Sequence, residues 1–274
     1  MITILGAAGL IGSRLCKRLT ERSIEHYAPD REDATITNRN LGNIIYCIGV
    51  TADFRSRTFD TVEAHVCNLL RLLRDCDFDS LLYLSSCRLY GARGGFAREE
   101  DKLVAAPLNP DDLYNLSKAL GESLALNSKR KVRIARISNV YGDDFRSQNF
   151  LSSVIRDAVT RGEVIVRTSP DSEKDYIHSD DVVDCLIKLA NGSRHEIYNI
   201  ASGENVSNQE LMDYVSRITG CAVVFEAGAP TLKFPKIDIE RVRKEFDFHP
   251  SALRERIDEV VQRYQSLSAK LSEH

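Results

Sequence analysis

A tyrosine and a lysine stand four residues apart in Tyr114-Asn115-Leu116-Ser117-Lys118. On a helix such a pair shares one face. A phenol alone is a poor base at neutral pH, because its ordinary pKa is about 10. An ammonium beside it favours the phenolate, so the pair can exchange a proton with a substrate hydroxyl. The spacing is common by chance and takes its weight from its surroundings. Upstream, Leu82-Tyr83-Leu84-Ser85-Ser86 reads as a buried strand ending in hydroxyls. The carboxyl edge of an open α/β sheet is where ligands bind. Ser86 is thereby a candidate to polarise a reacting oxygen and to shape the proton path to Tyr114, with Cys87 and Arg88 next to it.

A second constellation opens the chain. Gly6, Gly9 and Gly12 fall at the turn between an apolar strand, Ile2–Leu5, and a helix beginning at Leu10. Small residues there allow a tight turn, close approach of backbone to a pyrophosphate, and close packing of helix on strand. The first-turn amides, at Leu10, Ile11 and Gly12, then face an anion with the helix dipole behind them. Together these features predict a dinucleotide site. Gly49, at the end of the third apolar run, is a further cofactor-contact candidate. Asp30 lies near the end of the second strand candidate, about 20 residues on, where an acid accepts bonds from the adenosine ribose. That favours NAD, while Arg31 beside it keeps NADP open as a binder of a 2′-phosphate.

These groups need a frame. Short apolar runs alternate with amphipathic helices, the pattern of an α/β fold with a doubly wound parallel sheet of Rossmann type. Strands are expected at Ile2–Leu5, Ser23–Ala28, Asn43–Ile48, Ser80–Ser85 and Val132–Ile137. Helices are expected at Leu10–Arg22, Thr58–Arg74 and Asp111–Asn127. After Gly142 the rhythm changes, with helices at Asn149–Arg161, Asp180–Ala190, Ser207–Thr219 and from Leu253. The parse gives a dinucleotide-binding domain over 1–145, rejoined by about 174–201. A smaller, interleaved C-terminal α/β lobe takes 146–173 and 202–274.

A net charge of −3 argues against a general nucleic-acid surface. No apolar stretch approaches a bilayer span, and Met1 runs directly into a strand, so neither membrane insertion nor a signal peptide is expected. Seven scattered cysteines with no C-x-x-C pair read as reduced thiols, without a disulfide frame or metal site. A cytoplasmic protein is the expectation.

The motifs together resemble the extended short-chain dehydrogenase/reductase family, the NAD-dependent epimerase/dehydratase group, over nearly the whole chain. Gly6, Gly9 and Gly12 match its glycine signature, Ser86 its catalytic Ser/Thr, and Tyr114 and Lys118 its Y-x-x-x-K. Arg136-Ile137-Ser138-Asn139-Val140-Tyr141-Gly142 resembles R-x-x-N-V-Y-G, whose Asn often touches the substrate diphosphate. Lys174 to Val182 resembles R-D-F-I-H-V-D-D-V, which places His178 beside the substrate, although a packing role fits that histidine better. Tyr198 to Gly203 resembles Y-N-I-G-S-G. The resemblance implies an NAD(P)-dependent enzyme on a nucleotide-linked sugar: a 4-epimerase first, a 4-keto-sugar reductase second, and, from another class, a non-catalytic dinucleotide sensor. It also implies a homodimer through a helix pair.

Departures narrow the chemistry. Family dehydratases carry an Asp-Glu pair where Cys87 and Arg88 stand, so 4,6-dehydration is not expected. Cys87 has a counterpart proton donor in GDP-fucose synthases, displaced by one place, and a structural thiol fits better. His65 replaces a family Asn, either lining the cofactor pocket or taking over that residue's hydrogen bonds. Between Asp30 and Asn43 the chain is too short for the usual third strand and its adenine-contacting acid.

Overall fold

Residues 1–272 are described by a computed structural model. The chain begins with β1 (Ile2–Leu5), α1 (Leu10–Glu21), β2 (His26–Tyr27) and β3 (Asn43–Tyr46). There follow α2 (Thr58–Val62), a π turn (Glu63–Cys67), α3 (Asn68–Asp75), β4 (Ser80–Ser86), β5 (Phe96–Ala97), α4 (Asp112–Asn127) and β6 (Val132–Ile137). Then come β7 (Asn139–Tyr141), α5 (Phe150–Arg161), β8 (Glu163–Val166), β9 (Glu173–His178), α6 (Ser179–Asn191) and β10 (Ile197–Ile200). The last elements are β11 (Asn205–Ser207), α7 (Asn208–Thr219), β12 (Ala222–Phe225), β13 (Lys236–Ile237), α8 (Glu240–Phe246) and α9 (Leu253–Ser272).

Six strands form one parallel sheet in the order β10-β6-β4-β3-β1-β2. A parallel sheet is covered on both faces, so its strands are apolar throughout. β1 is buried at all four positions and β4 at all but its last. Helices α1 and α6 pack on one face, α3 and α4 on the other. Helices follow β1 and β3 on opposite faces, so a crevice opens beyond the carboxyl ends of these two strands. Among the described residues no strand lies outside β2. The segment after it, a single 3-10 turn over Ala34–Asn38, is too short to supply one.

β2 itself keeps two residues of the expected six. It pairs on one side only, and Pro29 and the polar run behind it cannot prolong an edge. The sequence pattern also conceals the second sheet. β7 pairs parallel with β9, and β11 antiparallel with β9. These strands are short and mixed in polarity, which hides period-two alternation. Two further parallel pairs join β8 with β12 and β5 with β13, the second holding the long loop after Gly91. A separate buried cluster centres on Leu151, Ile155, Leu211, Val215, Ile257 and Tyr264. β10 returns to the main sheet beside β6.

Candidate active site

The glycine loop lies at the carboxyl end of β1. Gly6 has φ +88°, and a Cβ there would lie 2.9 Å from the Cys47 carbonyl carbon. A side chain on Gly12 would collide with the Gly6 carbonyl oxygen, so this glycine is what lets α1 start hard against the turn. Gly9 caps α1 without a side-chain hydrogen bond, which leaves the amides of Leu10, Ile11 and Gly12 to an incoming anion. Ala7 and Ala8 add no bulk over them. The cradle fits a pyrophosphate. On the adenine side, Asp30 and Arg31 lie exposed in the turn beyond β2. Asp33, which the sequence reading passed over, is the acid held in place there. It accepts from Thr35 N (2.8 Å), Thr35 Oγ1 (2.6 Å) and the Tyr27 hydroxyl, and these bonds hold its carboxyl below the usual range.

The other constellation converges one strand further on. Ser86 ends β4, and its hydroxyl accepts from Arg88 N (3.2 Å) and stands on the side of Tyr114 where it favours the phenolate. Tyr114 and Lys118 project from α4 and are both buried. Burial raises the Tyr114 pKa, while Ser86 and the Arg88 charge pull the other way. Lys118 donates to Leu84 O at 2.7 Å. Its burial holds the ammonium down to about 7, and Glu122 opposes that shift. A Cβ on Gly49 would lie 3.6 Å from Lys118 Nζ and 3.4 Å from His65 Nε2, so this glycine borders the same cluster.

His65 has a larger part in this geometry than its sequence position suggested. The helix expected over Thr58–Arg74 carries a π turn at its centre. Such wide turns leave carbonyls without helical donors. Here the Tyr46 hydroxyl donates to Ala64 O (2.7 Å) and the Tyr83 hydroxyl to His65 O (3.1 Å). His65 itself is fully buried. Its Nε2 accepts from Val50 N at 3.2 Å, which leaves the proton on Nδ1 for Ser117 Oγ at 2.8 Å. Ser117 Oγ donates in turn to Tyr114 O (2.9 Å), and the His65 ring meets Tyr114 edge to face at 5.2 Å. The imidazole thus ties the loop after β3 to the helix that bears Tyr114.

Burial, reinforced by the Lys118 charge, drives the His65 pKa down to about 2. The unfolded chain takes up a proton near pH 6.5 that the folded chain refuses. The stability contributed by neutral His65 is complete above pH 6.5 and falls as pH drops, by about 1.4 kcal/mol per pH unit. Urea titrations of wild type and His65→Asn between pH 6.5 and 5 will show a steeper acid loss for the wild type. Parallel slopes would mean that His65 is charged in the fold.

Arg88, Asn139 and Cys87 border a pocket of about 100 Å³ at the ends of β4 and β6, with Ser86, Lys174 and Phe234 among its other walls. Asn139 Nδ2 donates to Asp175 O (2.8 Å). Cys87 is buried with its thiol directed to Arg136 O (3.2 Å), and burial raises its pKa well above the usual value. That environment suits a packed thiol better than a proton donor. His178 is not brought to the pocket. It caps α6, accepting from Asp180 N at 3.3 Å, and its ring meets Tyr141 edge to face. Among the described residues no cluster of metal-ligating side chains occurs, and no helix is long and apolar enough to cross a membrane.

The sequence profile of the NAD dependent epimerase/dehydratase family matches residues 39–201. The dTDP-4-dehydro-6-deoxy-D-allose reductase of a Streptomyces species is 24% identical, over 96% of this chain and 95% of its own. A putative UDP-glucose 4-epimerase of Methanocaldococcus jannaschii is 26% identical over 80% of this chain and 83% of its own. Among solved structures, MoeE5 in complex with UDP-glucose and NAD superposes with a TM-score of 0.82 at 21% identity. That match covers 97% of this chain and 99% of that one.

Proposed function

The chain belongs to the NAD dependent epimerase/dehydratase family, and on that premise we propose that it is an NAD-dependent 4-epimerase of a nucleotide sugar. The observation that carries the reading is the cluster of half-buried Ser86 with buried Tyr114 and Lys118, set between the glycine cradle and the pocket of Arg88, Asn139 and Lys174. Gly6, Gly9, Leu10, Ile11 and Gly12 would hold the pyrophosphate of NAD, with Asp30 toward its ribose and Gly49 and Lys118 toward its nicotinamide half. Bound NAD supplies two-electron oxidation and re-reduction at the sugar carbon.

Tyr114 takes the proton of the sugar hydroxyl as that carbon is oxidised, and returns it when the hydroxyl re-forms. Ser86 holds the reacting oxygen by a hydrogen bond, and Lys118 keeps positive charge beside the phenolate. Asn139 and Lys174 line the pocket and are assigned to the diphosphate. Because Arg88 replaces an acid and Cys87 is packed inward, the pocket has no carboxyl pair at the place where dehydration needs one.

A second reading, a 4-keto-sugar reductase, shares every one of these residues and is favoured by the Streptomyces relative. The two separate in one measurement. Purified protein incubated with a nucleotide sugar will convert it with no net change in reduced-nicotinamide absorbance if it is an epimerase. Stoichiometric consumption of added NADH or NADPH with a keto sugar makes it a reductase. A protein that binds dinucleotide and does neither is a sensor. The proposal extends to a homodimer, supported by the exposed Phe59, Leu70 and Leu120 on the neighbouring α2, α3 and α4. It also extends to a cytoplasmic location, which suits seven free thiols.

A further inference from the structure

The pocket beside Tyr114 holds more positive charge than its own walls neutralise. Lys174 Nζ lies over the rings of Phe150 (4.8 Å) and Phe234 (5.9 Å), and among the described residues it has no carboxylate partner. Burial and the charge of Arg88 lower its pKa. The Arg88 guanidinium rests on the rings of Phe54 (5.0 Å) and Tyr114 (5.7 Å). Its nearest carboxylate oxygen belongs to Asp111, 4.0 Å away, and that group is already held by Arg55 at 2.5 Å. The guanidinium's bond to protein is a long one, 3.4 Å to Asp111 O. Asp175 lines the same pocket and can offset one of these charges, but it pairs with neither cation. Ser138 Oγ, Ser202 N, Ser202 Oγ and Gly203 N all donate to it.

Two mutually repelling, partly desolvated cations in one small pocket are costly unless an anion joins them. The diphosphate of a nucleotide sugar supplies one such anion, and Lys174 with Asn139 stands ready for it. Arg88 is placed differently. Its backbone is bonded to Ser86 and its guanidinium covers Tyr114, so it stands at the reacting sugar rather than at the diphosphate. A guanidinium fork takes a carboxylate through two parallel hydrogen bonds. We propose that Arg88 selects a nucleotide sugar whose ring carries a carboxylate, a uronic-acid sugar. This rests on the nucleotide-sugar reading above and names its substrate class.

The test uses NAD-loaded protein carrying Tyr114→Phe, so that no turnover occurs and no phenol remains for Arg88 to influence. Titration calorimetry with UDP, dTDP, GDP and ADP selects the base. The glucuronate and glucose forms of that nucleotide sugar are then compared. Charge-assisted bonds of this kind predict about tenfold or greater preference for the glucuronate. Adding Arg88→Met abolishes the preference, so that the glucuronate form binds no tighter than the glucose form, and Arg88→Lys restores part of it. Melting curves confirm that both variants are folded. Equal affinity for the two sugars, or a preference that survives Arg88→Met, overturns the inference and leaves the nucleotide-sugar reading standing. Binding of neither sugar, whatever the base, overturns both.

Discussion

Replacing Tyr114 by Phe will lower turnover of the nucleotide sugar by about 10²–10⁴-fold, the range expected for loss of a positioned proton-transfer group. Affinity for the sugar should barely move, because everything the ring does apart from its hydroxyl survives. A phenyl group still packs on Phe54 at 5.4 Å, still meets His65 edge to face, and still underlies Arg88. The hydroxyl beside Ser86 is lost, and with it at most about 1 kcal/mol of stability. A fall in kcat with KM and melting temperature nearly unchanged is therefore the expected signature. Wild-type turnover in the Phe variant would remove Tyr114 from the chemistry altogether.

The same variant exposes how the phenol is made usable. Burial by itself moves Tyr114 the wrong way, toward a neutral hydroxyl. The opposing influences are local: Ser86 beside its oxygen and Arg88 over its ring. Lys118 is itself held near 7 by burial, so its charge in the free protein depends on working pH.

What the sequence made legible is the part written in spacing. The glycines mark a strand-to-helix turn by themselves, and each apolar run of the main sheet except β2 ends within two residues of its expected place. Tyr114, Lys118 and Ser86 could be nominated because four-residue spacing and a strand end are local facts. His65 could be flagged but not interpreted. Its role depends on a π turn, and the donors that stabilise that turn, Tyr46 and Tyr83, arrive from β3 and β4. Gly121 is equally silent in sequence, yet a side chain there would strike the Tyr83 hydroxyl. The strands of the second sheet were hidden for a similar reason, since β7 and β9 are stabilised by each other and not by a pattern of their own. Asp30 and Asp33 differ by three positions in one polar run. Only the fold shows that Tyr27 and Thr35 fasten the second.

Beneath the pocket lies the pair whose disruption should cost the most stability. Arg136 and Glu122 have side chains 4% and 5% exposed and meet at 2.7 Å. Glu122 also accepts from Ser85 Oγ (2.5 Å), while Arg136 donates to the Tyr90 hydroxyl (3.0 Å) and Glu99 O (3.1 Å). The Tyr90 hydroxyl donates in turn to Asn199 Oδ1 (2.7 Å), so one network joins β4, α4, β6 and β10. Arg136→Met strands a buried carboxylate, and denaturant unfolding should report a loss of about 3–5 kcal/mol. The double variant Arg136→Met/Glu122→Leu removes both charges and should recover much of that loss, since an apolar pair of similar volume pays no desolvation. A single-variant loss below about 1 kcal/mol would show the pair to be bystanders. Glu122 also links this network to the chemistry, because its charge is what opposes the fall in the Lys118 pKa. In the double variant the Lys118 ammonium loses that support and its pKa drops further. The acid-side range over which Lys118 stays charged then narrows, and the pH profile of kcat should shift to lower pH even where stability has been regained.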